Sequence, residues 1–285
     1  MRFVSYRSPG GQSRPGILEG PNDGTAIRRI AASSMREYIA LPPEERLALH
    51  TTELIPRSSV ALDAPVRPSR NVFCVGRNYL EHAREGARAA GRELKLPTAP
   101  TFFTKAPTAI AAPGARLEFE ARVSREYDYE GELAVVIGRE CKDVSEDAAL
   151  GAVFGYTALN DLTARDLQRE HGQWFKGKSL DFSCPIGPCI VTPDLVGNPQ
   201  ALAITVHVNG IEKQHANTAA MIFPIPRLIA ELSKGMTLLP GDVIATGTPE
   251  GVGFARNPPE FLADGDVVDL WIENVGHLVN TIAVS

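Results

Sequence analysis

The chain has no apolar run long enough to cross a bilayer. Its longest, LAVVIG and ALAITVHV, are strand-sized, far short of the ~20 residues a spanning helix needs. Thiols are scarce: Cys74, Cys141, Cys184 and Cys189 stand singly, without C-x-x-C spacing, which indicates neither a zinc site nor a disulfide scaffold. No basic run interleaved with aromatics occurs and the formal net charge is −5, so nucleic acid is not an expected partner. The opening stretch, MRFVSYRSPGGQSRPG, lacks the apolar core of a secretory signal. These absences lead to the expectation of a cytoplasmic protein with no membrane partner.

What is present is an ordinary globular balance. The 285 residues are 44% hydrophobic and 22% charged, enough for one large domain or two unequal ones. Glycine and proline are plentiful, at 25 and 22 residues. From Thr101 onward short apolar segments alternate with Gly/Pro punctuation every ten residues or so, the pattern of a mostly-β (α+β) body. Helices are expected over Ser34–His50, interrupted at Pro42-Pro43, over Leu162–Glu170 and over Pro226–Ser233. Residues 1–68 read as a small N-terminal domain, closed by the proline-bearing linker LDAPVRPSR, and residues 69–285 as the main domain.

The segment YDYEGELAVVIG concentrates the chemistry. Side chains alternate along a strand, so Glu130 and Glu132 point the same way, about 6.5–7 Å apart. The rest of the segment is apolar on both faces, which makes it a buried strand that begins with two carboxylates. Such a pair needs a positive charge between them, and a divalent metal is one solution. The other reading places both at an exposed strand entrance, paired with Arg122 or Arg125. Asp161, in GYTALNDLTARDLQ, is a candidate third carboxylate, with Arg165 and Gln168 on the same helical face at i+4 and i+7. A plain helix N-cap explains Asp161 equally. Three carboxylates without thiolate or imidazole suit Mg²⁺ or Mn²⁺.

Gly172 to Ser179 matches the P-loop pattern letter for letter, but the context is wrong. A helix precedes it, and Pro185 and Pro188 bar a long helix after it. In RNYLEHAREG, His82 and Glu85 stand three apart, so the carboxylate can orient the imidazole as a proton-taking dyad. A solvated helix face is the alternative. Near the C-terminus, GDVIATGTPEGVG reads as a strand running into a glycine-rich loop, where amides and the Thr248 hydroxyl can hold an anion.

In order along the chain, VGRNYLEHARE, YEGELAVVIG, GYTALNDLTARDLQ, GKSLDFSCPIGP and MIFPIPRLIAELSKGMTLLPGDVIATGTPEGVG resemble the fumarylacetoacetate hydrolase family over about residues 70–285. The resemblance implies a mixed β-sandwich roll with a small N-terminal domain, assembled as a homodimer. It implies a Mg²⁺ or Mn²⁺ site at Glu130, Glu132 and Asp161, a His82/Glu85 water-activating dyad, and Lys178 as the catalytic lysine. Arg165, Gln168 and Thr248 map to substrate contacts. The implied reaction is C–C hydrolysis of a β-diketo acid or acylpyruvate through an enolate, with decarboxylation or isomerisation at the same site as alternatives. A catalytically inactive relative that only binds ligand is the alternative from another class. The chain departs from the family in a longer Ala87–Ala99 stretch, in Lys176 as a competitor of Lys178, and in lacking an aromatic after Pro188.

Overall fold

The computed structural model describes residues 1–21, 24–89, 91 and 93–285. Within the long Ala87–Ala99 stretch, Ala90 and Arg92 lie outside the described residues. The architecture is a mixed α+β fold of two main sheets. The larger runs, edge to edge, through His50–Pro56, Ala26–Ile30, Arg14–Glu19, Arg2–Arg7, Cys184–Val191, Val153–Asn160, Gly131–Ile137, Val243–Ala245, Val72–Gly76 and Thr101–Lys105. Short strands Ala61–Asp63 and Ile110–Ala111 pair onto Arg2–Arg7 and Cys184–Val191. The second sheet orders Ile211–Asn217, Ala203–Val208, Val267–Ile272, Gly276–Val284 and Arg116–Phe119.

Residues 1–68 therefore join the same sheet as the rest of the chain, through the register Arg2↔Val191 and Phe3↔Ile190. Their helices, Met35–Ala40 capped by Ser34 and Pro43–Ala48, are separated by Leu41 and Pro42, and the second starts on Pro43, whose fixed φ suits a helix start. Among the described residues, no helix is long and apolar enough to cross a membrane.

The central strand Gly131–Ile137 is buried along its whole length, as its apolar run on both faces demands. Leu133, Val135 and Ile137 pack with Val206, Leu270 and Ile272 of the second sheet. Ala134 and Val136 pack on the other side with Phe3, Tyr38 and Ile39. Gly131 marks the closest approach of the sheets: a Cβ there would lie 2.4 Å from Val206 and 2.8 Å from Leu270, which only glycine tolerates.

This topology brings four chain segments to one place. The Gly131–Ile137 strand runs antiparallel to both Val153–Asn160 and Val243–Ala245, with Gly131↔Asn160 and Ala134↔Ala245 in register. Val72–Gly76 runs parallel to Val243–Ala245. The glutamates at the start of the first strand thus meet Asp161, the Thr246–Gly253 loop and the Leu80–Ala89 helix, which follow the ends of the others.

One boundary differs from the sequence expectation. The helix expected from Leu162 begins at Arg165, because Thr163–Ala164 is held extended in a two-strand pairing with Tyr127–Asp128. Asp161 therefore is neither on that helix nor its cap; the N-cap position belongs to Ala164. The helix expected at Pro226–Ser233 spans Ile225–Ser233.

Candidate active site and metal centre

Glu130, Glu132 and Asp161 each offer a carboxylate oxygen within 4.8 Å of the others, and all three are buried. The strand period sets Glu130 and Glu132 side by side, and the Asp161 amide donates to the Glu130 carbonyl at 2.8 Å. None of the three reaches Arg122 or Arg125; Arg122 pairs with its neighbour Glu120 instead. The cations that do reach them are buried. Lys178 Nζ donates to Glu130 Oε2 and Asp161 Oδ2, both at 2.7 Å. Lys105 Nζ donates to Asp161 Oδ1 at 2.6 Å and to the Leu162 carbonyl at 3.0 Å. Arg165 Nη2 lies 2.7 Å from Glu130 Oε1.

The three carboxyls are not electrostatically alike. Burial pushes Glu130 up, but Lys178 and Arg165 outweigh it and hold the group at about 2. Glu132 is pushed well above the carboxylate range by burial and by Asp161 and Glu130 beside it. Among the described residues it forms no ion pair, and what opposes the shift is the nearby Lys178 charge and the Gly247 amide, which donates to Oε2 at 2.7 Å. Burial disfavours the Lys178 ammonium, yet Asp161 and Glu130 keep its pKa raised. Around the cluster Asp128, Glu130, Glu132 and Asp161 face Lys105, Lys178 and Arg165, four carboxyl groups against three cations. An all-oxygen donor set with one uncompensated, desolvated carboxylate fits a hard divalent cation.

Beside it stands the His82–Glu85 pair, on one face of the Leu80–Ala89 helix. Both residues are buried, and His82 Nδ1 lies 2.9 Å from Glu85 Oε1. Glu85 Oε2 accepts the Gly251 amide at 2.9 Å, which fixes the carboxylate and through it the ring. With Nδ1 committed, Nε2 is the nitrogen left to exchange a proton.

Asp128, two residues before Glu130 on the same strand parity, was not anticipated. Its carboxylate accepts from Arg165 Nε at 2.8 Å, from the Gly253 amide at 2.7 Å and from the Phe254 amide at 3.0 Å. Arg165 is thereby clamped, with its guanidinium 4.4 Å from the Phe254 ring centroid and its Nη1 donating to Gln168 Oε1 at 3.1 Å. The amides of the glycine-rich loop thus hold carboxylates of the protein itself. Thr248 lines the cavity, but its hydroxyl donates to the Gly131 carbonyl at 3.0 Å and accepts from Gln214 Nε2 at 2.8 Å. Gln214 is the second unanticipated residue.

The P-loop look-alike resolves as the sequence context indicates. Phe175–Lys178 is a single helical turn, Lys178 is committed to two carboxylates, and the Ser179 hydroxyl accepts the Ala106 amide at 3.1 Å. Of the two competing lysines, Lys176 is exposed and Lys178 buried. Two steps along a helical turn point opposite ways.

Glu130, Glu132 and His82 open into one cavity of about 1160 Å³, lined also by Arg165, Gln168, Lys178 and Thr248. Every site residue read from the sequence therefore lies on this cavity, except Asp161 and Glu85, which stand behind its wall.

Residues 71–283 match the family model described as "Fumarylacetoacetate (FAA) hydrolase C-terminal". The chain belongs to this family. It is 47% identical over 226 residues to oxaloacetate tautomerase YisK of Bacillus subtilis, covering 79% of this chain and 74% of the relative. A fumarylacetoacetate hydrolase from Exiguobacterium antarcticum superposes with a TM-score of 0.85 at 39% identity over 100% of both chains. A 2-hydroxyhepta-2,4-diene-1,7-dioate isomerase from Mycobacterium marinum gives 0.82 at 37% identity, covering 100% of this chain and 99% of the other. The family's members in this set are enzymes acting on small molecules, and they include tautomerases, isomerases and hydrolases.

Proposed function

We propose that this family member is a divalent-metal-dependent enzyme that forms and quenches the enolate of a small 2-oxo acid, using Mg²⁺ or Mn²⁺ held by Glu130, Glu132 and Asp161. The observation that carries this reading is the buried three-carboxylate cluster, whose Glu130 and Glu132 line the same cavity as His82 of the His82–Glu85 pair. When bound there, a divalent cation supplies Lewis-acid polarisation of the oxo acid and stabilisation of developing enolate charge.

The chain's own residues do the rest. Lys178 sits between two of the ligands with its charge retained, and it offsets the anion that enters. Arg165 is held rigid by Asp128 and Phe254 and presents its edge, with Gln168, to the cavity. His82, oriented by Glu85, takes a proton from the carbon next to the keto group at Nε2. Returning that proton to the enolate oxygen completes an enol–keto interchange. The 47% identical relative named for oxaloacetate supports this outcome. A second reading, hydrolysis of an acylpyruvate C–C bond, is favoured by the burial of the dyad. There His82 deprotonates a water instead, the hydroxide adds to the distal carbonyl, and the departing enolate is protonated on carbon.

The test is ultraviolet absorbance of oxaloacetate and of an acylpyruvate panel, with Mn²⁺ and then with EDTA. Metal-dependent equilibration of oxaloacetate alone establishes the tautomerase, and loss of acylpyruvate absorbance establishes the hydrolase. Glu130→Ala should abolish both while leaving circular dichroism unchanged. Absence of any metal-dependent change across the panel would defeat the reading. The homodimer implied by the family belongs to the same proposal, checked by sedimentation against the 30.7 kDa chain mass.

A further inference from the structure

One side chain of the P-loop look-alike is not accounted for by the contacts above. Gly172 turns the chain at φ +68°. Gly177 lets it pass close to the Arg165–Glu170 helix, where a Cβ would lie 2.6 Å from the Gln168 amide nitrogen and 2.7 Å from the Ala164 carbonyl. Lys178 and Ser179 have the partners already described. The remaining one is Trp174, whose ring lies half-buried on the cavity wall. Gly76 makes room for it, since a Cβ there would lie 2.2 Å from the indole. Trp174 stands edge-on to Phe103, with centroids 5.3 Å apart. The Phe103 ring in turn lies 5.2 Å from Lys178 Nζ, so this pair of rings rises directly from the acidic cluster.

Burial sorts the cavity lining into three tiers. The buried floor is polar: Glu130, Glu132, His82, Arg165 and Lys178. The exposed rim is charged: Arg77, Glu93, Lys95 and Arg169. Between them the half-buried tier is apolar and mostly aromatic: Phe103, Trp174, Phe254, Phe261 and Leu94. Among the described residues, the half-buried polar side chains on this tier are Gln168 and Glu126, and both are engaged. Gln168 Oε1 accepts from Arg165 Nη1, and Glu126 pairs with Arg169 at 2.7 Å. Phe254 closes the tier on the far side: Arg165 lies 4.4 Å from its centroid, and a Cβ on Gly86 of the dyad helix would lie 3.9 Å from its Cζ. Four rings left partly open on a cavity, with the polar groups held at its floor, are the lining of a site that orients a ligand by its polar end and buries an apolar one. A charged group held at that middle level would be desolvated without a partner.

We propose that the aromatic tier, with Trp174 as its specificity-determining residue, binds an apolar arm of the substrate, so that the site takes 2-oxo acids bearing an aryl group beyond the keto carbon in preference to those ending in a second charge. This rests on the 2-oxo acid reading above and leaves its proton transfer unchanged. The polar end of the acid goes to the floor, and the aryl arm lies against Trp174 and Phe103. The cavity volume of about 1160 Å³ holds such an arm with room to spare.

The test uses three unreactive probes on the Mn²⁺-loaded protein: oxamate, N-phenyloxamate and N-oxalylglycine. Each sets a carboxylate beside a carbonyl, and they differ in carrying no arm, an aryl arm or a charged arm. By titration calorimetry the wild type should bind N-phenyloxamate about tenfold or more tighter than either of the others, the order that burying one ring supports. Trp174→Ala should bring N-phenyloxamate down to the level of oxamate and leave oxamate unchanged, and Trp174→Phe should keep most of the preference. A second readout leaves the Trp174 ring in place. The chain has 2 tryptophans, and the other, Trp271, lies on the second sheet beside His277. In Trp271→Phe all indole emission comes from Trp174, and N-phenyloxamate should shift it beyond any change that oxamate causes. The proposal falls if W174A keeps the aryl preference or weakens oxamate as much, if W174F loses the preference, or if N-phenyloxamate leaves the W271F emission at its oxamate value. A wild type that binds N-oxalylglycine as tightly as N-phenyloxamate, or all three probes equally, defeats the aryl arm and leaves the 2-oxo acid reading standing. A wild type that binds none of the three defeats that reading as well.

Discussion

Removing the Lys105 ammonium should move stability and metal affinity in opposite directions. Lys105 is fully buried, and its ammonium serves Asp161 Oδ1 and the Leu162 carbonyl. In Lys105→Met the methylene stem is replaced by a side chain of similar volume, so the change is chiefly electrostatic. Asp161 keeps Lys178 at its other oxygen, while the Leu162 carbonyl loses a buried donor. Breaking one partner of a buried ion pair costs about 3–5 kcal/mol, and the surviving lysine places this case near the lower end. At about 2–4 °C per kcal/mol, the metal-free melting temperature should fall by roughly 6–12 °C. With Glu132 ionised by a bound cation, the same deletion raises the anionic excess around the cluster from one charge to two, so Mn²⁺ should bind more tightly, by about tenfold or ~1.4 kcal/mol. Saturating metal then recovers about half of the deficit, because ligand stabilisation grows with the ratio of concentration to Kd. Thermal melts in EDTA and in excess Mn²⁺, with calorimetric Kd values, read both quantities. A K105M protein as stable as the wild type in EDTA, or one that binds Mn²⁺ more weakly, would refute the charge balance drawn here.

Three further outcomes follow from the same geometry. His82→Ala should lose turnover yet bind Mn²⁺ and oxalate as the wild type does; collapse of oxalate affinity would make His82 a binding residue rather than a base. Gln214→Leu leaves the Gly131 amide without its acceptor and takes a donor from Thr248, so a stability loss of about 1–3 kcal/mol should accompany a raised KM, and an unchanged urea midpoint would contradict it. Away from the site, burial pushes Asp63 up but its hydrogen bonds to Arg7 and Arg67 outweigh this and lower its pKa below the usual 3.8. Its folded value is depressed, so its contribution is present above pH 4 and lost as pH falls through the folded pKa. Urea midpoints from pH 6 to pH 3 should therefore fall more steeply in the wild type than in Asp63→Asn, and parallel curves would refute the assignment.

The parts of the site that were legible in the sequence share one property: their spacing equals the period of the element that carries them. Glu130 and Glu132 obey the strand's period of two, and His82 and Glu85 the helix's i, i+3. Asp128 obeys the same period of two, and extending the YDYEGE alternation one step back would have found it. Lys105 offers no such signal, since a lysine at the end of TFFTK reads as an ordinary strand terminus. Its partner lies 56 residues away, and only the sheet order brings the two together. Gln214 sits in IEKQHAN, a strand exposed at most of its positions, where nothing local marks its side chain as buried. The misplaced helix start at Leu162 has the same origin, because the pairing that keeps Thr163–Ala164 extended comes from Tyr127–Asp128. Propensity describes the segment alone, and the sheet decides it.

The glycine-rich loop shows what such long-range pairing accomplishes. Its amides reach three carboxylates with three different tasks: Gly247 fixes the metal-ligand candidate Glu132, Gly251 fixes Glu85 behind the imidazole, and Gly253 with Phe254 fixes Asp128 behind Arg165. Gly251 itself has φ +101°, and a Cβ there would lie 2.1 Å from the Lys213 carbonyl, so the second sheet dictates where its N–H points. The Tyr129 hydroxyl and Arg256 then bond to the Gly251 carbonyl from the other side. The candidate metal ligand, the proposed dyad and the cavity-lining Arg165 are therefore registered to one another by a single backbone segment. A displacement of that loop by half an ångström would shift all three together, which preserves their mutual geometry. Separate supports would allow each to drift alone. The loop's glycines supply the conformations that this shared anchorage needs, and the substrate is left to the side chains that the anchorage holds in place.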